Sequence, residues 1–214
     1  ELVDPGRALA PGQIYNSNQP LINGLLAALG CQVVAVRHVA DTPEATRQAL
    51  EAAAAEADVI VSTGGVSVGE ADYVKDAVEA LGRLDLWKIA VKPGKPLAFG
   101  RVGDAVFVGL PGNPVSALVT FSLFGAPVIR KMQGRSDTMP EAVRVPAGFA
   151  APAPKREEYL RVRLQHGRLE RYPHQGSGVL SSAVWADGLA RLAVGQAVAE
   201  GDPVDYLGFE RLLY

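Results

Sequence analysis

The segment Asp58-Val59-Ile60-Val61-Ser62-Thr63-Gly64-Gly65-Val66-Ser67-Val68-Gly69 combines two patterns that together indicate the class of fold. Its first part is a short run rich in β-branched residues, which is typical of a buried strand. Its second part is a glycine-rich loop that leads into a helical pattern ending near Leu81. A strand, a flexible loop and a helix therefore follow one another directly, and this order is the repeating unit of α/β proteins with parallel strands.

The same order recurs on both sides of this stretch. A helix is predicted over residues 14–30, with Asn16-Ser17-Asn18 as candidate caps, followed by a valine-rich strand over residues 32–39. A second helix opens at Asp41-Thr42-Pro43-Glu44 and runs to about Ala57. Further elements are predicted downstream: a strand over Leu86 to Lys92, a hairpin of residues 97–100 and 105–109, and a long helix ending near Gly134. We therefore predict that residues 1–137 form an α/β domain, a mostly parallel sheet in three layers.

The pattern changes after residue 137. Prolines separate short segments there, and apolar residues alternate with Arg161 and Arg163 as in a half-buried strand. We predict that residues 138–214 form a small all-β domain, either a barrel or a sandwich. The boundary also predicts that residues 1–137 fold without the remainder.

Composition disfavours several classes of partner. The formal net charge is −2 and the basic residues are scattered, so neither nucleic acid nor an anionic membrane surface is favoured. No apolar run reaches the roughly 20 residues of a membrane helix, and no signal peptide is visible. Cys31 is the only cysteine, which favours a reducing compartment and hence the cytoplasm. The start Glu1-Leu2-Val3 resembles the inside of a strand, so we expect the chain to be part of a longer protein.

Polar and glycine-rich segments follow the predicted strands, at the sheet edge where α/β proteins bind ligands. They are Asp41, residues 63–69, Lys92-Pro93-Gly94-Lys95 and Pro111-Gly112-Asn113-Pro114. Residues 63–69 either cradle a phosphate with their backbone N–H groups or form an ordinary strand-to-helix turn. Glu70 and Asp72 oppose a bare anion, but a bound Mg²⁺ would remove that objection. The alternative for Asp72 is a residue favoured at a helix start by the helix dipole.

Lys88 and Lys92 share one face of the predicted strand with Ala90. A strand between two helices should be covered, and covered lysines need anionic partners, which favours an anion-binding role. The alternative is a solvated face at the edge of the sheet.

The segment Pro111-Gly112-Asn113-Pro114-Val115-Ser116 is either a second wall of the same pocket or a proline-capped helix start. The histidines show no metal-ligand spacing, and no serine has the context of a hydrolase nucleophile.

Three long blocks occur in order along the chain. They are residues 63–73, residues 87–100 with Lys92-Pro93-Gly94-Lys95-Pro96, and Gly109-Leu110-Pro111-Gly112-Asn113-Pro114-Val115-Ser116-Ala117. Together they resemble the signature blocks of the molybdopterin molybdenumtransferase family, which includes MoeA and the E domain of gephyrin. Gln13-Ile14-Tyr15-Asn16-Ser17-Asn18 and Gln175-Gly176-Ser177-Gly178 resemble further typical stretches of that family.

The resemblance implies a molybdopterin-binding α/β domain followed by a small C-terminal β domain. It implies a role in molybdenum cofactor biosynthesis, in which molybdate and adenylylated molybdopterin react and AMP is released, with Mg²⁺ as the cofactor. It also implies two further domains before the position of Glu1, a homodimeric active site, and molybdopterin adenylyltransferase and molybdoenzymes as partners. We therefore expect this chain alone to bind the pterin but to catalyse the reaction poorly.

The resemblance also assigns roles to individual residues. The implied catalytic residues are Asp72, Asp41, Lys88 and Lys92, and the implied ligands of metal or molybdate are Asp72, Asp41 and Glu1. The implied substrate-binding residues are Thr63, Gly64, Gly65, Val66, Ser67, Gly69, Lys95, Pro111, Gly112, Asn113, Pro114, Ser116 and Ser177. A reaction between anions needs charge neutralisation and positioning more than a covalent nucleophile, which suits this set.

Two other functions fit the same residues. A molybdopterin adenylyltransferase shares the glycine-rich loops but lacks an attached β domain. A non-catalytic pterin-binding or scaffold module of the gephyrin type keeps the same surface blocks. An assay of AMP release in the presence of molybdate separates the three hypotheses.

Overall fold

The computed structural model describes residues 2–65 and 73–213. Among the predicted site residues, Glu1, Val66, Ser67, Gly69 and Asp72 lie outside these ranges. The strands are β1 (Leu2–Val3), β2 (Ile14–Tyr15), β3 (Val59–Thr63), β4 (Gly82–Trp87), β5 (Val91–Lys92), β6 (Ala98–Val102), β7 (Ala105–Leu110), β8 (Val143–Pro146), β9 (Glu157–Gln165), β10 (Arg168–Arg171), β11 (Gly188–Leu192) and β12 (Pro203–Gly208). The helices are α1 (Asn18–Ala28), α2 (Pro43–Glu56), α3 (Tyr73–Leu81), α4 (Pro114–Thr120), α5 (Ala126–Met132), α6 (Leu180–Trp185) and α7 (Phe209–Leu212).

The α/β part is built on a four-stranded sheet with the strand order β3-β7-β6-β4. β3 and β7 are parallel, whereas the β7–β6 and β6–β4 pairs are antiparallel. The predicted hairpin is confirmed as β6 and β7, with Val102 opposite Ala105 at its turn. Only one of the three strand pairs is parallel, so the described sheet is mixed where the sequence predicted a mostly parallel one, while the α/β class is confirmed.

Helices cover both faces of this sheet. Every residue of β7 is buried, because successive side chains of the strand point to opposite covered faces. Phe107 belongs to a hydrophobic cluster with Leu50 of α2 and Val78 of α3. Val106 and Val108 belong to a second cluster with residues of α4 and α5. The helix–sheet–helix layering predicted from the sequence is therefore present.

The start of α2 is the clearest case of local sequence fixing local structure. The Thr42 side chain accepts a hydrogen bond from the Ala45 N–H at 3.3 Å, and Pro43 occupies the first helical turn. The helix therefore begins where the sequence predicts.

One helix of 19 residues, Pro114–Met132, is the longest in the described part of the chain. It consists of α4, a π-helical segment at Phe121–Gly125, and α5. Within the described ranges it alone has the length and composition to cross a membrane, but 72% of its apolar window is buried inside the protein. It is therefore the core helix of this fold. Its buried hydroxyls are paired within the helix, since Thr120 Oγ1 donates to Ser116 O and Ser122 Oγ donates to Leu118 O, each at 2.7 Å.

The second part of the chain contains an antiparallel sheet with the strand order β10-β9-β11-β12-β8. Val145, Leu160 and Leu192 belong to a hydrophobic cluster that is confined to this part. β5 from the α/β part also joins the sheet, by pairing in parallel with β9.

The largest hydrophobic cluster extends across both parts of the chain. Tyr159, Leu189 and Leu207 belong to the same cluster as Ile22 of α1 and Leu118 of α4. The boundary at residue 137 stays a prediction, but this shared core makes independent folding of residues 1–137 less favourable than the sequence pattern indicates.

The strand predicted over residues 32–39 is wrong. Residues 31–40 have no regular secondary structure, and Val34 and Val36 are 54% and 50% exposed. Within the described ranges, the backbone of residues 32–39 makes no backbone–backbone hydrogen bond. A strand requires a neighbour that pairs its N–H and C=O groups, so a valine-rich composition alone does not form one.

The strand predicted over Leu86 to Lys92 is also wrong, because it is broken into two. β4 ends at Trp87, Lys88 has a φ of 71°, and Val91–Lys92 joins the other sheet as β5. Lys88 and Lys92 therefore do not share a strand face.

Two further expectations need adjustment. α1 is shorter than predicted, at Asn18–Ala28. Arg161 is only 1% exposed, because β9 is covered on both faces at its centre, so the predicted half-buried alternation fails there.

Candidate functional site

The two glycine-rich loops meet at the ends of β3 and β7. Parallel pairing places Thr63 opposite Leu110, so both strands end at the same level. The Gly64 N–H then donates to Leu110 O at 3.1 Å, and a Cβ on Gly112 would lie 3.6 Å from the Cα of Gly64. Residues from two of the predicted ligand-binding segments are thus brought together by one strand pair.

The first loop requires glycine for its backbone geometry. Gly64 and Gly65 have φ angles of 83° and 70°, a region that other residues adopt only with strain. A Cβ on Gly65 would also lie 2.7 Å from Cγ2 of Val74 in α3. Gly65 is exposed, and its N–H has no partner among the residues that the structure describes. The Gly65 N–H is therefore a candidate donor for an anion.

The second loop leads directly into the long helix. Asn113 is the N-cap, and Pro114 occupies the first helical turn, as the sequence predicts. Gly112 and Asn113 are exposed, and their N–H groups have no partner in the described part of the chain. The positive end of the helix dipole lies at the same place. Ser116, by contrast, is only 4% exposed, so it lies beneath the loop rather than on its surface.

Asn18, the first residue of α1, is a member of the site that the sequence analysis treated only as a helix cap. Its Nδ2 donates to Gly112 O at 2.8 Å, although 94 residues separate the two. Asn18 is 9% exposed, and its Oδ1 has no hydrogen-bond partner among the described residues. Because the Gly112 carbonyl can only accept, the amide must present Nδ2 to it, which leaves Oδ1 unpaired. The sequence signal was the block that ends at Asn18, but nothing in it indicated contact with Gly112.

A loop from the second sheet, Gln175-Gly176-Ser177-Gly178, reaches the same place. Ser177 O accepts the Val115 N–H at 3.0 Å, one of the helix-start donors that have no partner within the helix. The Ser177 hydroxyl has no hydrogen-bond partner within the described ranges, and the residue is half-buried. The structure therefore brings Ser177 to the start of α4, as the predicted substrate contact requires.

The predicted lysines are exposed, and the expectation that helices cover them is wrong. Lys92 Nζ pairs with Glu158 Oε1 at 2.8 Å, and the Lys92 side chain is 53% exposed. Lys88 Nζ lies 6.0 Å from the centroid of the Trp87 ring. Lys95 is exposed as well, next to Gly94, where a Cβ would overlap Cγ2 of Thr120 in α4. The loop that carries the lysines is thus packed against the long helix, but their role in anion binding stays a prediction.

Of the three predicted acidic ligands, only Asp41 lies in the described residues. It is exposed and directly precedes Thr42, the N-cap of α2. No group of three or more His, Cys, Asp or Glu side chains within residues 2–65 and 73–213 has a geometry that could hold a metal ion. Magnesium binding by Asp41 together with Asp72 and Glu1 therefore stays a prediction.

Two cavities lie away from this junction. One of about 170 Å³ lies on the second sheet and one of about 280 Å³ lies beside α2, and neither includes a predicted site residue. Neither cavity therefore identifies the candidate site, whose described backbone donors lie at the sheet edge.

The fold and the site together define a class: an α/β protein with two glycine-rich loops at one sheet edge, joined to a small β part that contributes a third loop. Family comparison agrees with this class. Residues 3–131 match the model described as a probable molybdopterin binding domain, and residues 144–209 match the MoeA C-terminal region (domain IV). The chain belongs to the molybdopterin molybdenumtransferase (MoeA) family, and the resemblance drawn from the sequence is confirmed.

Individual relatives agree with this assignment. A molybdopterin molybdenumtransferase of Haemophilus influenzae is 48% identical over 135 residues, which are 63% of this chain and 33% of the relative. Another, of Synechococcus elongatus, is 35% identical over 205 residues, which are 91% of this chain and 49% of the relative. The crystal structure of a molybdopterin biosynthesis MoeA protein from Pyrococcus horikoshii has a TM-score of 0.84 at 28% identity and covers 98% of this chain and 52% of its own. The chain thus spans about a third to a half of the length of these proteins.

Proposed function

We propose that this chain binds adenylylated molybdopterin at the junction of its two glycine-rich loops and takes part in inserting molybdenum from molybdate with release of AMP. The observation that carries the proposal is the convergence of Gly64, Asn18 and Ser177 on the segment that starts the long helix. The relatives of Haemophilus and Synechococcus bear the name of this enzyme, which supports the same reaction class.

The phosphate groups of such a substrate suit the backbone at the junction. The N–H groups of Gly65, Gly112 and Asn113 are without partners among the described residues, and the helix that begins at Pro114 adds partial positive charge. Backbone donors are fixed in place by the strands that precede them, so an anion gains hydrogen bonds without ordering long side chains.

The proposed role of the three lysines is to supply full positive charge to the bound anion. Lys88 and Lys95 are exposed and can approach a bound anion. Lys92 Nζ is paired with Glu158, whose side chain is only 16% exposed, so a phosphate or molybdate oxygen that takes the lysine leaves a largely buried carboxylate without this partner. Lys92 is therefore less readily available than Lys88 and Lys95 to neutralise charge during phosphoanhydride cleavage.

We also propose that Asp41, Asp72 and Glu1 bind Mg²⁺ and that the complete site is built across a homodimer. Both proposals rest on the family resemblance, since only Asp41 of these acids lies in the described residues. A divalent cation would supply charge neutralisation to an anionic substrate.

The test is anaerobic titration calorimetry of adenylylated molybdopterin with Gly112→Ala. This change adds one methyl group at the junction, 3.6 Å from Gly64, a separation that the backbone tolerates. We expect the affinity to fall about tenfold, because the methyl group occupies the space through which a phosphate approaches the N–H groups. Gly24→Ala is the matched control, since it makes the same change at an exposed position of α1 with no atom within 4 Å.

Unchanged affinity in Gly112→Ala, or an equal loss in Gly24→Ala, contradicts the proposed site. The reaction itself is tested by AMP release on addition of molybdate. ATP-dependent formation of the adenylylated pterin would instead support the adenylyltransferase alternative.

A further inference from the structure

A fully buried arginine lies between the second sheet and the candidate site. Arg161 is at the centre of β9, and its guanidinium donates to Ser182 Oγ at 3.1 Å, Gly176 O at 3.2 Å and Tyr159 O at 3.4 Å. All three acceptors are neutral, no ion pair involves Arg161 among the described residues, and the charge of Glu158 favours the cationic form of Arg161. Burial lowers its pKa to about 10, so it remains a cation at neutral pH.

Burial outweighs the attraction of Glu158 in its effect on the Arg161 pKa, so holding a cation at this position has a net cost to the folded state. The arrangement therefore needs an explanation other than core packing. The Arg161 guanidinium donates a hydrogen bond to the Gly176 carbonyl, which belongs to the loop of residues 175–178 that reaches the candidate site.

Gln175 fastens the same loop from the other side. Its Oε1 accepts the Arg161 N–H at 2.9 Å, and its Nε2 donates to Arg161 O and to Tyr172 O, each at 2.9 Å. The Gln175 amide thus pairs both the N–H and the C=O of Arg161, as the backbone of a neighbouring strand would. Gln175 and Gly176 are both fixed to β9 immediately before Ser177.

The next residue makes the contact with the α/β part. Ser177 O accepts the Val115 N–H at 3.0 Å, so the fixed loop pairs the first available donor of the long helix. That pairing determines how far the Ser177 hydroxyl lies from the Gly112 and Asn113 N–H groups. A shift of the loop by about 1 Å would be enough to degrade a shared binding surface.

We propose that Arg161 and Gln175 are positioning residues that clamp residues 175–178 onto the start of the long helix and so hold Ser177 in its ligand-binding position. The inference rests on the proposed function, since adenylylated molybdopterin is taken as the ligand. A ligand that contacts Ser177 and the helix start stabilises the clamped loop, and the clamped loop binds the ligand more tightly by the same factor.

The test combines amide hydrogen exchange at Val115 with calorimetric titration of adenylylated molybdopterin, using the full chain. Arg161→Lys keeps the charge but loses the forked geometry, and Gln175→Met removes the side-chain hydrogen bonds without changing charge. In each variant we expect exchange at Val115 to be about tenfold faster and affinity to be about tenfold weaker. We also expect bound ligand to slow Val115 exchange in the unaltered protein and to lose that effect in Gln175→Met.

Arg163→Met is the matched control. Arg163 lies two residues further along β9, donates to Trp185 O and stacks on the Trp185 ring, so its loss leaves the loop fastened. The proposal is overturned if Gln175→Met leaves Val115 exchange and affinity unchanged, or if Arg163→Met reproduces both effects. Gln175 is only half-buried, so its variant remains informative if Arg161→Lys does not fold. If the unaltered protein fails to bind the pterin but Val115 exchange still responds to Gln175→Met, the proposed function fails and the clamp stands.

Discussion

Replacing Asn18 by leucine should leave the protein as stable as before, or more stable, while weakening ligand binding. The substitution removes the hydrogen bond from Nδ2 to Gly112 O, which is 2.8 Å long. A hydrogen bond of this kind contributes about 1 kcal/mol net, and the exposed Gly112 can find water instead. It also removes the buried Oδ1, which has no partner among the described residues, and an unpaired buried acceptor of this kind costs about 1–3 kcal/mol. Because leucine has nearly the same shape, the net change is about 0–2 kcal/mol in favour of the folded state.

Binding should change in the opposite direction. Asn18 holds the Gly112 carbonyl, and in a planar trans peptide this fixes the Asn113 N–H in the opposite direction. Without that constraint the loop samples other orientations, and we expect the affinity for adenylylated molybdopterin to fall about tenfold, or about 1.4 kcal/mol. Urea unfolding measures the stability, and anaerobic calorimetry measures the affinity.

Asn18→Asp provides the matched contrast. It keeps the size but turns a carboxylate oxygen towards the Gly112 carbonyl, so two acceptors face each other and a charge is buried. We expect it to lose more than about 2 kcal/mol of stability at neutral pH. The reasoning is refuted if Asn18→Leu is destabilised by more than about 2 kcal/mol, or if its affinity stays within about twofold of the unaltered protein.

Three further predictions follow from the same contacts and from the resemblance. Asp72→Asn should weaken Mg²⁺-dependent pterin binding with little change in stability; calorimetry with and without Mg²⁺ decides, and an intact Mg²⁺ dependence would favour a helix-start role. A chain that ends at residue 137 loses Tyr159, Leu189 and Leu207 from the shared core, so its urea unfolding should be less cooperative, and an unchanged sharp transition would contradict this. A hydrogen bond from Arg191 holds the pKa of Asp205 below its usual 3.8, so the folded state gains stability above that pH and loses it as pH falls through the lower folded pKa. Asp205→Asn should therefore flatten the loss of stability below about pH 4 in acid-unfolding curves, and an unchanged curve would exclude this contribution.

Much of the candidate site was predictable because it lies at strand ends. The glycine loops after β3 and β7 carry their own signals, namely positive-φ glycines at residues 64 and 65 and a proline at the start of the helix. Once two strands are parallel, their following loops must begin side by side, which is why Gly64 and Gly112 meet. Sequence reasoning missed Asn18 and Arg161, which act through hydrogen bonds to residues that are distant in sequence or on another loop. No local pattern encodes such contacts.

The errors have the same origin. Residues 32–39 have the composition of a strand but no paired backbone, and Lys88 leaves the strand because the chain passes from one sheet to the other between Trp87 and Val91. The alternation around Arg161 indicated one exposed face, yet helix α6 and residues 175–178 cover that face. Hydrophobic periodicity predicts which side chains are buried, but it does not predict which other elements of the fold cover them.

By itself, the sequence determined the local elements and their chemistry: the capped start of α2, the hairpin of β6 and β7, the long apolar helix, and glycine and charge concentrated at strand ends. These depend on backbone torsions and on contacts within a few residues, so the order of residues is sufficient to specify them. The pairing of the strands and the burial or exposure of each cation could be read only from the folded chain. The same holds for the meeting of Asn18, Ser177 and the two glycine loops at one helix start. Those outcomes depend on desolvation and hydrogen bonding between segments far apart in sequence, and their energies exist only once the chain has folded.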